Sequence, residues 1–214
     1  MERILDAIFP QTCTICGKLD HSSLCKKCQI ELENIQEPNI LSNFEEEKYF
    51  NELIYVFKYE GLIRKLLIQY KFQEKPYIVK SFVNFLLNDK KIFKKIKSFD
   101  IIIPVPISTK RKKDRGYNQS LLLAKEISKK TGQIIANNCL YKTKNIIEQS
   151  KLNKEERKLN IQGVYEFKNE QIITNKKILL IDDIYTTGST ANECCKMLQK
   201  GKPKKIGVFT VAKD

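Results

Sequence analysis

Apolar residues in this chain fall into short unbroken runs, separated by longer stretches with helical spacing. Leu53-Ile54-Tyr55-Val56-Phe57 is rich in strand formers. Asp100-Ile101-Ile102-Ile103 and Ile178-Leu179-Leu180-Ile181 have the length and lack of alternation of buried strands. Lys205-Ile206-Gly207-Val208-Phe209-Thr210-Val211 predicts a last strand, and residues 133–136 a further short one. Helices are predicted from Leu62 to about Phe72, over residues 78–93 with Pro76 at the start, along Ser120, Leu123, Ala124 and Ile127, and along Ala191, Cys194, Cys195 and Leu198. Alternating strands and helices predict an α/β fold with a mainly parallel sheet flanked by helices.

Polar stretches divide this pattern. Residues 29–47 read as a short helix and then an acidic linker around Pro38, so a small N-terminal module (1–47) precedes the main domain (48–214). Pro104-Val105-Pro106 stops the strand before it, and residues 108–120, with the basic run RKKDR, follow. Residues 143–162 are polar and charged, with a helical turn at 154–159; such an excursion is either a lid, here 144–160, or disordered.

Composition narrows the class. The chain has 214 residues, 42% of them hydrophobic, enough for one core of ordinary size plus an appendage. No apolar run is long enough to span a bilayer. The start, MERILDAIFP, carries Glu2 and Asp6 and lacks the basic and apolar regions of a signal peptide, so no membrane insertion and a cytoplasmic location are expected. The net charge of +14 concentrates in residues 90–97, 110–115, 142–158 and 196–205. That excess suits polyanions, although solvated lysine-rich helix faces give the same pattern.

Cys13-x-x-Cys16 and Cys25-x-x-Cys28 are spaced as two thiolate pairs that complete one tetrahedral site, with Gly17 supplying the tight backbone after the first pair. A disulfide is disfavoured in a cytoplasmic chain, and a redox CxxC needs no second copy. Structural zinc is therefore expected on Cys13, Cys16, Cys25 and Cys28. Cys139, Cys194 and Cys195 read as buried residues of the fold.

The stretch 177–190, KILLIDDIYTTGST, carries the most chemistry. A buried strand ends in Asp182 and Asp183, then Thr186, Thr187, Gly188, Ser189 and Thr190 lead into a helix. Hydroxyls, a glycine and the first amides of a helix suit a phosphate. The carboxylates have the wrong sign for phosphate and suit hydroxyls or a divalent cation such as Mg²⁺. Ribose 5-phosphate offers a phosphate at one end and vicinal hydroxyls further along. The stretch is no Walker loop, since G-x-x-x-x-G-K-[ST] is absent.

This stretch resembles the signature of the type I phosphoribosyltransferases, which bind phosphoribosyl pyrophosphate (PRPP). With the cysteine pairs, Tyr59-x-Gly61 and its helix to Lys71, Pro104-Val105-Pro106, Arg115-Gly116-Tyr117-Asn118-Gln119, and the series Gln149, Leu152, Glu156-Arg157, Asn160 and Gly163, the chain resembles the ComF family across nearly its whole length. That family is competence-associated, phosphoribosyltransferase-like and begins with a zinc finger. Tyr117 stands where phenylalanine is usual, Asn153 where serine is, and Lys142 and Lys144 lie in a stretch that often carries arginines; the third cysteine pair of many relatives is missing.

The resemblance implies that Asp182 and Asp183 meet the ribose hydroxyls and that Thr186, Thr187, Gly188, Ser189 and Thr190 meet the 5-phosphate. Pro104, Val105 and Pro106 would lie by the pyrophosphate, with Arg115 and Mg²⁺ neutralising it as it leaves. Capping and salt-bridging of the next helix are the structural alternative for Arg115 and Asn118. Three functions remain open: phosphoribosyl transfer to an unknown acceptor, PRPP sensing without turnover, and handling of single-stranded DNA during uptake, alone or with other competence DNA-uptake proteins. No general acid–base pair is evident, since the one histidine is His21.

Overall fold

The computed structural model describes residues 12–20, 24–72, 76–143, 161 and 163–214. In chain order its elements are α1 (Lys26–Ile35), β1 (Gln36–Leu41), β2 (Glu52–Lys58), α2 (Gly61–Phe72), α3 (Ile78–Asn88), α4 (Lys90–Lys97), β3 (Ile101–Pro104), α5 (Thr109–Arg115) and α6 (Gln119–Thr131). There follow β4 (Ile134–Ile135), β5 (Leu140–Lys142), β6 (Tyr165–Phe167), a 3₁₀ turn (Glu170–Ile172), β7 (Lys177–Tyr185), α7 (Ser189–Gln199) and β8 (Lys205–Lys213).

The main sheet has six strands in the order β1-β2-β8-β7-β3-β4, all parallel to their neighbours except β1, which runs antiparallel to β2 at the edge. Residues alternate between two apolar layers. Ile102, Leu179, Ile181, Phe209 and Val211 pack with α2, α3, α4 and α6. Ile101, Ile103, Ile178, Leu180 and Val208 pack with α7 and the β5–β6 hairpin. A strand covered on both faces has no polar side, which is why the sequence of β7 reads as an unbroken apolar run.

β3 leads through α5 and α6 to β4 on one side of itself, whereas β7 leads through α7 to β8 on the other. The chain therefore leaves the carboxyl ends of β3 and β7 in opposite directions, and a crevice opens between their loops. This topological switch point is where an α/β sheet accommodates a ligand.

Several local expectations are corrected. The acidic linker contains a strand: β1 pairs with β2, and a register irregularity between Gln36 and Asn39 accommodates Pro38 on the edge. The helix expected over residues 78–93 is two helices, because Asp89 adopts an extended conformation and its Oδ1 accepts from Ile92 N at 2.8 Å, capping α4. The basic stretch at 108–120, to which the sequence pattern assigns no element, contains α5, capped by Ser108 and ended by Gly116 at φ +75°, with no buried residue. The β5–β6 hairpin was not anticipated, because its three-residue strands show no periodicity. The expected lid at 144–160, with its helical turn at 154–159, lies outside the described residues.

At the N-terminal side, Cys13 N donates to Lys18 O, Gly17 N donates to Cys13 O, and a bridge joins Thr12 to Leu19. Gly17 sits at φ +73°, so a side chain here would be strained. Leu32 of α1 is buried in the main core, with Ile15 and Leu24 packed against the same cluster.

Candidate functional site

The acid pair sits at the carboxyl end of β7, on the floor of a cleft of about 420 Å³ at the β3/β7 switch point. Successive strand residues face opposite ways, so the two carboxylates have different partners. Ser120 Oγ donates to Asp182 Oδ1 at 3.0 Å, and the Asp183 amide donates to the same oxygen at 2.9 Å. The Lys71 ammonium, at the end of α2, lies 2.8 Å from Asp183 Oδ2, close enough for an ion pair though not aligned as a hydrogen bond. Burial first, and the charge of Asp183 second, push Asp182 up to about 7, against the opposing pull of Lys71 and its two hydrogen bonds.

The phosphate-type loop borders the same cleft: Thr186, Thr187, Gly188, Ser189 and Thr190 all line it. Thr187 Oγ1 and Ser189 Oγ are 2.9 Å apart. The N-cap of α7 is Gly188, which offers no side chain to occupy the first amides of the helix. Gly188 has φ +73°, and a Cβ there would lie 2.1 Å from the Tyr185 hydroxyl. The glycine thus makes room for a tyrosine of its own chain.

From β3, Val105 and Pro106 line the cleft, whereas Pro104 is the buried last residue of the strand, paired with Ile181. Arg115 stands at the lip, its guanidinium 4.5 Å from the centre of the Phe72 ring. Asn118 caps α6 by accepting from Ser120 N at 3.0 Å and donates to Val105 O at 3.0 Å, which ties the β3 loop to the helix. Tyr117 donates its hydroxyl to Tyr70 O, and Tyr70 donates to Gln119 O at 2.7 Å. The Arg115–Gln119 segment therefore clamps the end of α2, and this brings Lys71 to Asp183.

Sequence reasoning did not single out Lys71, Gln119, Thr210 or Tyr165 as cleft residues, nor the place of Lys142. They come from α2, α6, β8, β6 and β5, and no local pattern links them to 177–190. Burial, then the charge of Arg111, lower the Lys142 amine to about 8. Tyr59-x-Gly61 was the one signal in the sequence that α2 mattered.

The four zinc-type cysteines converge: the Sγ atoms of Cys13, Cys16, Cys25 and Cys28 lie within 4.8 Å of one another. Cys16 Sγ and Cys25 Sγ are 3.8 Å apart. A tetrahedron with Zn–S bonds of about 2.3 Å has edges of about 3.8 Å, so the donor set fits zinc. Four thiolates leave no open position, which makes the centre structural. Cys139, Cys194 and Cys195 are all buried in the core of the sheet domain.

Residues 117–214 match the phosphoribosyl transferase domain family, and residues 4–39 match the double zinc ribbon domain family. Over 208 residues the chain is 28% identical to Competence protein F of Haemophilus influenzae, covering 94% of this chain and 90% of the relative. It is also 28% identical to Competence protein ComFC of Bacillus subtilis, covering 98% and 81%. The chain is a homologue of the ComF competence proteins. ComF-type similarity extends to DNA utilization protein YhgH of Salmonella typhimurium, 23% identical over 94% of this chain and 89% of that one. Among solved structures, a purine phosphoribosyltransferase from Pyrococcus horikoshii Ot3 superposes with a TM-score of 0.36 at 13% identity, covering 66% of this chain and 83% of that one. The fold of this chain is mixed α/β, mostly parallel and phosphoribosyltransferase-like, with the four-cysteine cluster at its N-terminal side. Among the described residues no helix is long and apolar enough to cross a membrane.

Proposed function

We propose that the cleft binds PRPP, or a closely related 5-phosphorylated ribose, and that the protein serves DNA uptake in the cytoplasm with other competence proteins. One observation carries the reading: an acid pair and a hydroxyl-rich helix N-terminus face one cleft at a switch point. Asp182 and Asp183 accept from the ribose hydroxyls. Thr187, Ser189 and the first amides of α7 donate to the 5-phosphate. Val105 and Pro106 border the pyrophosphate, and Arg111, Arg115 and Lys142 face its charge. Mg²⁺ carried with the pyrophosphate would supply further neutralisation. If an acceptor is present, these cations stabilise the departing pyrophosphate while the acid pair holds the sugar; without one, the same contacts make a sensor.

Calorimetric titration of the zinc-loaded protein with PRPP and Mg²⁺ tests the reading. Binding by the wild type and its loss in the Asp182→Asn/Asp183→Asn variant are expected. No binding by a folded wild type would sink it.

A second reading, single-stranded DNA as the ligand, has its own observation. α5 carries Lys110, Arg111, Lys112, Lys113 and Arg115 on a helix with no buried residue, beside the cleft. Such a helix suits backbone phosphates. Salt-dependent binding of a single-stranded oligonucleotide, abolished by charge reversal at Lys110, Lys112 and Lys113, is the outcome this reading requires.

A further inference from the structure

Two buried polar side chains line the cleft, each with a polar atom left unbonded by the described residues. Gln119 is 2% exposed and Thr210 fully buried, and both line the cleft. Gln119 Nε2 and Thr210 Oγ1 have no hydrogen-bond partner among the described residues. Buried donors are almost always satisfied, and leaving one unmade is costly. Both line the same cleft as the acid pair. Thr210 on β8 is the register partner of Asp182 on β7. Gln119 immediately precedes Ser120, which donates to Asp182.

Gln119 is also held firmly in place. Its backbone carbonyl accepts from Tyr70 and its neighbour Asn118 caps α6, so the side chain is presented by a fixed backbone while its Nε2 has no partner among the described residues. A carboxylate only accepts, whereas a ligand hydroxyl both donates and accepts. A site with only Asp182 and Asp183 would satisfy the hydroxyl proton and leave its lone pairs bare.

We propose that Gln119 and Thr210 are ligand-binding residues: the Gln119 amide donates to a sugar hydroxyl that is itself donating to the acid pair, and Thr210 Oγ1 makes the matching contact on the β8 side. The site then reads each hydroxyl in both directions and selects a vicinal diol over a deoxy sugar. This rests on the ribose phosphate reading above and adds residues and a selectivity to it. The two groups find no partner among the described residues because their partner is the ligand.

The test uses the full zinc-loaded chain, with ribose 5-phosphate and 2-deoxyribose 5-phosphate as calorimetric probes. Wild type is expected to prefer the ribose form by at least about tenfold, since a site built to bond a hydroxyl rejects the analogue lacking it. Gln119→Leu and Thr210→Val should each weaken ribose 5-phosphate about tenfold, and the double variant should keep only the reduced preference that the acid pair supplies. Their melting temperatures should stay equal or rise, because each removes an unsatisfied buried group. A role within the fold would lower them instead. Gln119→Met, closer in volume, serves as the second variant should leucine pack badly. Wild-type affinity in Gln119→Leu and Thr210→Val overturns the proposal while leaving the ribose phosphate reading intact. Weaker binding with a lowered melting temperature in both Gln119→Leu and Gln119→Met assigns Gln119 to the fold and overturns its part. Failure of the wild type to bind ribose 5-phosphate or PRPP removes both.

Discussion

Lys71→Met separates the electrostatics of the acid pair from its packing. Unit charges 2.8 Å apart attract by about 6 kcal/mol at an effective dielectric of 20. Desolvation of both groups offsets much of this, and the Lys71 side chain keeps 22% of its exposure. A net loss of about 1–3 kcal/mol follows, or about 3–10 °C in melting temperature for a chain of this size. The pH response is more diagnostic. Asp182, raised to about 7, holds a proton in the folded state that it loses on unfolding at any pH between its ordinary 3.8 and 7. Its contribution to stability is therefore full below about 4 and is lost as pH rises through about 7. Ligand hydroxyls need the ionised form as acceptor, so affinity for ribose 5-phosphate rises over the same range while stability falls. Lys71 pulls Asp182 down. Without it the affinity midpoint should move to about 8 or higher, and Lys71→Arg should restore it. Calorimetry from pH 5.5 to 9.5 reads the midpoint. A midpoint unmoved in Lys71→Met would refute the argument, whatever happens to the melting temperature.

Two other outcomes follow from the geometry. Gly188→Ala places a Cβ 2.1 Å from the Tyr185 hydroxyl at φ +73°; left-handed backbone and overpacking together should cost about 2–5 kcal/mol by urea unfolding. Adding Tyr185→Phe should recover only part, and a Gly188→Ala variant within about 0.5 kcal/mol of wild type would mean the loop is built differently. For the metal, elemental analysis should find one zinc per chain, because the described cysteines outside Cys13, Cys16, Cys25 and Cys28 are buried in the sheet domain. Chelation should lower the melting temperature by loosening a module whose Leu32 reaches the main core; two zinc equivalents would contradict the single-site reading.

The sequence by itself determined what is encoded locally. The β7 run, its acids, the small loop and α7 are contiguous, so each residue type could be assigned to strand, floor, loop or helix cap from its neighbours alone. The cysteine spacing was equally local, since each CxxC pair meets one metal whatever surrounds it. Local patterns failed where distant segments decide. β1 is a strand because β2 offers an edge to pair with, not because QEPNIL looks like one. α5 has no apolar face to announce it, and its caps Ser108 and Gly116 carry the signal instead. The break at Asp89 turns on one capping bond within an otherwise helical pattern. Only the tertiary structure put Lys71, Gln119 and Thr210 around Asp182 and Asp183. Each arrives on a different element, and their meeting depends on sheet order, on strand register and on the Tyr70–Tyr117–Gln119 hydrogen bonds that fix the end of α2. Periodicity reports which face of an element is buried; which side chains share a cleft is set by non-local pairing, and no window along the chain contains it.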